Sequence, residues 1–201
     1  SVSLLIGVGV LMVILLYQYA NFLIHRLKMS YRNEAYERLA YKDQLTGARN
    51  RLGFEEDLEK YFHDTKLRDT IRLIYFDFDD LKDINDTKGH LEGDLVLQQG
   101  FKTIDDVFGA DGLCYRLGGD EFACLSFGVD EQAFLDQSRA FEDRISKLNQ
   151  ALNHTFRISI GSTIYREDDI KPSDICKRAD DDMYLNKCTH KRNCSALGKT
   201  T

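Results

Sequence analysis

The sequence has no surplus of positive charge. Its 201 residues include 27 lysines and arginines against 33 aspartates and glutamates, which gives a formal net charge of −6. A protein that holds a nucleic-acid backbone needs a basic face, so this balance argues against a nucleic-acid partner. An anionic substrate would therefore have to bind together with a metal ion.

The sequence also lacks the cysteine spacing of a zinc site or a disulfide framework. The cysteines are odd in number and form no CxxC pair; they are Cys114, Cys124, Cys176, Cys188 and Cys194. We therefore expect reduced thiols that serve mainly in packing. With 43% hydrophobic residues, a chain of this length buries one ordinary core, which predicts a single globular domain.

The first 24 residues contain no ionisable side chain except tyrosine. Roughly 20 apolar residues suffice for a membrane-spanning helix, so residues 1–24 predict a transmembrane helix with inner-membrane lipid as its partner. A basic flank follows at His25, Arg26, Lys28 and Arg32. The positive-inside tendency then predicts a protein of the cell inner membrane with its globular part in the cytoplasm. A signal-peptide core is disfavoured because the run is too long.

Residues 25–42 contain neither proline nor glycine and predict a helical linker. Leu27, Tyr31, Glu34, Arg38 and Tyr41 follow a spacing of four and three, but two of these five residues are charged. The pattern therefore supports a coiled coil only weakly. A signalling connector and a solvated helix both remain open.

From residue 43 onward, strand and helix patterns alternate. The segment 70–78 is apolar on both faces, as expected for a central strand that is covered on both sides. Further strands are predicted within 113–127, as a hairpin joined at two glycines, and at 155–165; helices are predicted at 97–108, 134–152 and 173–190. This order predicts an α/β (α+β) sandwich with a mixed, partly antiparallel central sheet flanked by helices.

Two acids lie where the strand pattern ends or turns. Asp77 closes the central strand, and an acid there is costly unless a cation meets it. Asp120 lies at the tip of the hairpin, so the two carboxylates converge if the hairpin pairs beside the central strand. Hard oxygen ligands suit Mg²⁺ or Mn²⁺. Gly118 and Gly119 carry no Cβ and would let the main chain approach a phosphate, which predicts a site for phosphoryl transfer.

Four motifs in this order resemble the GGDEF family of diguanylate cyclases. They are DQLTGARNR at 43–51, DFDDLKDINDTKGHLEGD at 77–94, GGDEF at 118–122 and ADDDMYLNK at 179–187. The resemblance identifies residues 43–193 as the cyclase domain, followed by a tail at 194–201. It implies a fold like that of nucleotidyl cyclases and polymerase palms. It also implies the condensation of two GTP molecules into cyclic di-GMP and two pyrophosphates by a homodimer.

The resemblance further implies the role of individual residues. Metal ions would be held by Asp77, the main-chain carbonyl of Phe78, Asp120 and Glu121, and Glu121 is also the candidate general base. Gly118 and Gly119 belong to the same catalytic hairpin. Asn85 and Asp94 match the positions that read guanine. The triphosphate would be contacted by Lys82, Lys187 and either Lys191 or Arg192, between which the sequence does not decide.

The guanine assignment also has a chemical reason. The carboxylate of Asp94 can accept hydrogen bonds from N1–H and from the exocyclic amine of guanine, whereas adenine has no donor at N1. An unpaired buried polar group costs ~1–3 kcal/mol, so we expect GTP to be preferred over ATP roughly tenfold to hundredfold.

Some positions depart from the family pattern. Gly109 and Gly112 occupy the places of the usual RxxD product-inhibition pair, so we expect no inhibition through that site. Asp182 stands where alanine is usual. The segment 43–51 is expected to be structural, with Asp43 or Thr46 capping a helix and Arg51 paired internally.

The alternative function is that of a catalytically silent domain of the same fold, which binds GTP or a protein partner. Loss of an acid is expected in such a domain, and the intact Asp77, Asp120 and Glu121 favour the enzyme.

Overall fold

The computed structural model describes residues 12, 15–29, 40–152 and 155–197, with side chains described as far as residue 188. The chain divides into two compact units, Ser1–Ala40 and Tyr41–Thr201. In the first unit, residues 15–29 form helix α1, whose side chains are exposed.

The prediction of a transmembrane helix within residues 1–24 is wrong for the described structure. Among the described residues, no helix is both long enough and apolar enough to cross a membrane. The described part of helix α1 carries His25, Arg26 and Lys28 near its end. The rest of the predicted span, and residues 30–39 of the predicted linker, lie outside the described residues.

The second unit is built on a sheet whose described strands follow the order β1-β3-β4-β2-β5. The strands are β1 (Arg49–Asn50), β2 (Ile71–Asp79), β3 (Gly112–Gly118), β4 (Glu121–Phe127) and β5 (Arg157–Ile164). Strand β2 pairs antiparallel with β4 and β5, β3 pairs antiparallel with β4, and β1 runs parallel to β3. The predicted mixed sheet is confirmed, with β2 paired on both sides.

Helices cover both faces of this sheet. They are α2 (Arg51–Phe62), α3 (Leu81–Lys88), α4 (His90–Phe108), α5 (Glu131–Leu152) and α6 (Pro172–Leu197). The sequence predicted α4 and α5 by their apolar spacing and α6 as the last helix. It did not predict β1, α2 or α3 as elements, because these are short or only weakly amphipathic.

Alternation along β2 divides the interior into two cores. Ile74, Phe76 and Phe78 point toward α4 and α5 and contact Ile104, Phe108 and Phe141 in the first core. Ile71 and Leu73 point the other way and pack with residues of α2 and α6, among them Phe54, Leu58, Ile175 and Ala179. Side chains alternate between faces along a strand. Asp77 and Asp79 therefore continue the face that α6 covers, at the end of the strand.

Candidate active site

The register of the sheet brings two acids together at the end of β2. Asp77 and Glu121 are Cα partners across β2 and β4, and directly opposed residues present their side chains on one face. Asp120 joins through its main chain, because the N–H of Phe78 donates to the carbonyl oxygen of Asp120 at 3.1 Å. The residue directly opposite Asp77 is therefore Glu121, and Asp120 lies in the turn just before it.

The glycine pair shapes this turn. Gly118 and Gly119 have φ of 152° and 52°, values that L side chains rarely adopt. A Cβ at either glycine would have no described atom within 4 Å. The glycines are thus required by the backbone of the turn, and the space beside them is open to a ligand.

Arg116 ties the turn to the segment 43–46. Its Nε and Nη2 donate to the carbonyl oxygen of Gly119 at 3.1 and 2.7 Å, and its Nη1 donates to Asp43 Oδ1 at 2.9 Å. The same carboxylate accepts from the Thr46 N–H and hydroxyl at 2.9 and 2.7 Å. Partial burial raises the pKa of Asp43, but the hydrogen bonds from Thr46 and Arg116 outweigh it and hold the pKa below its ordinary value.

The expected helix cap is therefore corrected. Asp43 and Thr46 organise a turn, and the cap of α2 is Asn50, whose Oδ1 accepts from the Gly53 N–H at 3.1 Å. Arg51 pairs internally as expected. Its Nε donates to the carbonyl oxygen of Leu117 at 2.8 Å, and its Nη2 lies 3.5 Å from Glu121 Oε2. The motif 43–51 thus supports the hairpin that carries Glu121.

Lys187 reaches the same strand end from α6. Its Nζ donates to Asp77 Oδ1 at 2.5 Å and lies 3.4 Å from Asp79 Oδ1. Partial burial lowers the pKa of Lys187, but the hydrogen bond and the attraction of Asp77 and Asp79 prevail and raise it. The structure therefore places Lys187 between Asp77 and Asp79 at this end of β2, with Glu121 opposite Asp77 on β4.

Asp79 was not predicted as a site residue. Its side chain is only 7% exposed, and its Oδ2 accepts from the Ser159 hydroxyl at 2.6 Å. Among the described residues, its Oδ1 has no hydrogen-bond partner. The alternation Asp77-Phe78-Asp79 was a usable signal, because residues two apart on a strand share a face.

The connection from β2 to α3 presents main-chain donors. Asp80 adopts the left-handed conformation with φ of 61°, and α3 then starts at Leu81 without a side-chain cap. The first N–H groups of a helix lack intrahelical acceptors and attract anions. Lys82 is exposed in this first turn, so the place suits phosphate groups.

The two predicted guanine readers, Asn85 and Asp94, lie beyond this turn in α3 and α4, which contact each other. Gly89, with φ of 90°, joins α3 to α4. A Cβ on Gly93 would lie 2.0 Å from Asn85 Oδ1, so the amide of Asn85 rests over Gly93, the neighbour of Asp94 in sequence. Asn85 and Asp94 are both half-buried. The sequence did not indicate Gly93 as a site residue, although Gly93 and Asp94 end the motif at 77–94.

The acids fit a hard divalent cation by their chemistry. Within the part of the chain whose side chains are described, no group of three or more His, Cys, Asp and Glu residues is arranged to hold a metal ion. The pair Asp77 and Glu121 nonetheless supplies hard oxygen donors in register. Lys187 places a positive charge on Asp77 where such a cation would bind.

The remaining sequence positions have the following places. The side chains of Lys191 and Arg192, in α6, lie outside the described residues, so their roles stay predictions.

Two departures from the family pattern have a structural explanation. The carboxylate of Asp182, where alanine is usual, accepts from the Ser162 N–H of β5 at 2.8 Å. A Cβ on Gly112 would lie 2.7 Å from the Leu125 carbonyl oxygen. Close packing of β3 against β4 therefore explains the glycine.

Comparison with known proteins gives the following similarities. The family model described as "Diguanylate cyclase, GGDEF domain" matches residues 40–193. Diguanylate cyclase DgcN of Escherichia coli is 32% identical over 166 residues, which are 81% of this chain and 40% of that protein. The chain therefore spans about two fifths of the length of this relative.

Two solved structures share the fold. The coiled coil and GGDEF domain of DgcB from Caulobacter crescentus, in complex with c-di-GMP, gives a TM-score of 0.76 at 23% identity, covering 87% of this chain and 95% of that one. The GGDEF domain of TpbB from Pseudomonas aeruginosa gives a TM-score of 0.63 at 30% identity, covering 74% of this chain and 89% of that one.

Proposed function

The chain belongs to the GGDEF family of diguanylate cyclase domains, and from this membership we propose that it condenses two GTP molecules into cyclic di-GMP and two pyrophosphates. The observation that supports this most directly is the register that sets Glu121 opposite Asp77. This acid pair lies beside the uncapped start of α3, where an anionic triphosphate finds main-chain donors.

The nucleotide would extend along α3. Asn85 lies four residues after Leu81, about 6 Å further along the helix, so the base and the phosphates are read by successive turns of one element. Asn85 and Asp94 would bind the edge of guanine. Lys82 and Lys187 would bind phosphate oxygens, together with Lys191 or Arg192.

The divalent cation would be held by Asp77 and Glu121, with Asp120 and the carbonyl of Phe78 as further ligands. When bound, Mg²⁺ or Mn²⁺ neutralises phosphate charge and assists in-line displacement. Glu121 is also our candidate for taking the proton of the attacking 3′-hydroxyl. Arg51, 3.5 Å from Glu121, would hold this side chain in its orientation.

Two subunits are needed for the complete reaction. Each would bind one GTP, and the 3′-hydroxyl of one nucleotide would attack the α-phosphate of the other. Pairing the two reactants in a homodimer turns a bimolecular step into one within a complex.

The proposal is tested with the full chain, GTP and Mg²⁺, by chromatography of the products. We expect cyclic di-GMP from the wild-type protein and none detectable from Asp77→Asn. Asp168→Asn, which changes an exposed acid in the turn before α6, should retain activity as the matched control. A dimeric wild-type protein that binds GTP and forms no product would instead support the silent binding domain.

A further inference from the structure

Lys187 contacts two aspartates, Asp77 and Asp79, at different distances. Asp77 and Asp79 stand two residues apart on one face of β2, and their side chains are 13% and 7% exposed. Lys187 Nζ lies 2.5 Å from Asp77 Oδ1 and 3.4 Å from Asp79 Oδ1. The ammonium is therefore bound tightly to the predicted cation ligand and loosely to its neighbour.

One carboxylate oxygen of Asp79 accepts a hydrogen bond and, within the described part of the chain, the other does not. The Ser159 hydroxyl donates to Oδ2 at 2.6 Å, which holds the carboxylate in place. Among the described residues, its buried Oδ1 has no hydrogen-bond partner. Such an unsatisfied buried acceptor is costly to a fold. A shift of the ammonium by ~0.6 Å would bring it to the ordinary length of a charged hydrogen bond, 2.7–2.9 Å.

From this arrangement we propose that Lys187 is the resident cation of the site, and that Asp79 receives it when a divalent cation binds Asp77. The inference rests on the proposed function, because the divalent cation and its ligand Asp77 are taken from it. Lys187 and the divalent cation then compete for Asp77. Asp79 is a positioning residue: it contacts neither substrate nor metal, and it makes the displacement of Lys187 easier.

The competition predicts an effect on cation binding without nucleotide or turnover. We would titrate the full chain with Mn²⁺ in the absence of GTP and count free Mn²⁺ by electron paramagnetic resonance. Lys187→Gln removes the competitor, so Mn²⁺ should bind about fivefold more tightly or better. Lys177→Gln removes an exposed charge from the same helix and should change the dissociation constant less than twofold.

The role of Asp79 is tested by a double-mutant cycle. Asp79→Asn keeps an acceptor for Ser159 but cannot receive the ammonium, so Lys187 stays on Asp77 and Mn²⁺ binds more weakly. The lost negative charge of Asp79 weakens Mn²⁺ binding whether or not Lys187 is present. When Lys187 is present, the loss of its alternative acceptor weakens Mn²⁺ binding further. The loss of affinity should therefore be several-fold larger with Lys187 than in the Lys187→Gln background. Equal losses in both backgrounds would show that Asp79 acts on the cation directly and would overturn its assigned role.

The outcomes separate this inference from the proposed function. Lys187→Gln leaves Asp79 unchanged and tests the competition alone, even if the Asp79 variant does not fold. Its Mn²⁺ affinity should rise while its KM for GTP also rises, because a phosphate contact is lost. An unchanged or weaker Mn²⁺ affinity would overturn the competition even if wild-type protein makes cyclic di-GMP. Absence of product would sink the proposed function without altering the Mn²⁺ comparison.

Discussion

Gly161 allows the main chain of β5 to lie directly against α6. A Cβ at this position would lie 2.2 Å from the Met183 nitrogen and 2.3 Å from the Ala179 carbonyl oxygen. Both are backbone atoms, which cannot move away by a change of side-chain rotamer. The contact matters for the site, because α6 carries Lys187 to the end of β2.

We expect Gly161→Ala to lower the free energy of unfolding by about 1–3 kcal/mol, the usual cost of overpacking. Urea denaturation measures this. Gly53→Ala is the matched control, because its Cβ would lie 3.4 Å from the flexible side chain of Arg49; it should change stability by less than about 1 kcal/mol. An unfolding midpoint of the Gly161 variant equal to that of the wild type would contradict the close approach.

Gly93 acts on the site through its neighbour Asn85. A Cβ on Gly93 would lie 2.0 Å from Asn85 Oδ1, so Gly93→Ala must displace this amide. Losing one hydrogen bond in a recognition site costs about 1–2 kcal/mol, so GTP affinity should fall roughly tenfold. Calorimetric titration of GTP in the presence of Mg²⁺ measures the change.

The matched comparison is the same substitution in an Asn85→Ala background. With the amide already absent, Gly93→Ala should cause little further loss of GTP affinity, since the two residues act as one unit. Additive losses would show that Gly93 affects binding by another route.

At the scale of elements, the glycine turn depends on a segment far from it in sequence. Arg116 joins the Gly119 carbonyl to Asp43 at 2.7 and 2.9 Å, and Asp43 also holds Thr46. The motif at 43–51 is therefore a structural support for the hairpin. Its Arg51 also reaches Glu121.

This support predicts a specific dependence of stability on pH. The folded-state pKa of Asp43 lies below its ordinary value of 3.8. The group therefore stabilises the fold fully above that value, and the contribution is lost as the pH falls through the lowered folded-state pKa. The wild type should have a higher free energy of unfolding than Asp43→Asn. This difference should be larger at pH 6 than at pH 3.

Urea denaturation at both pH values checks this difference. Asp168→Asn, at an exposed position, should track the wild type at pH 6 and pH 3 alike. A gap between wild type and Asp43→Asn that is the same at pH 3 and pH 6 would mean that the Asp43 carboxylate contributes nothing through its charge.

At the scale of the whole molecule, the proposed reaction requires two subunits. One subunit holds a single set of Asp77, Glu121, Asn85 and Asp94, which is proposed to bind one GTP. Turnover per subunit should therefore fall on dilution, once sedimentation shows the dimer separating. GTP bound per folded subunit should stay constant over the same range, which excludes unfolding as the cause. Equal turnover per subunit in monomer and dimer would refute the shared site.

The sequence indicated candidate site residues where the signal is local. An acid at the end of an apolar strand marked Asp77, and the glycine pair marked the hairpin before Glu121. Asp79 and Gly93 were missed, because their importance depends on Ser159, Lys187 and Asn85 lying against them. The membrane prediction was wrong for the described residues: no helix among them is long and apolar enough to cross a membrane, and the helix at 15–29 includes His25, Arg26 and Lys28.

The sequence by itself determined the alternation of β2, the hairpin turn at Gly118 and Gly119, the helical spacing of α4 and α5, and the motif order that identifies the family. These features depend on residues a few positions apart, which share a face or a turn. Only the tertiary structure decided that Glu121 opposes Asp77 and that Lys187, 110 residues away from Asp77, lies between Asp77 and Asp79. Register and helix placement are set by side chains that pack across the two cores, and this packing brings together residues far apart in the chain.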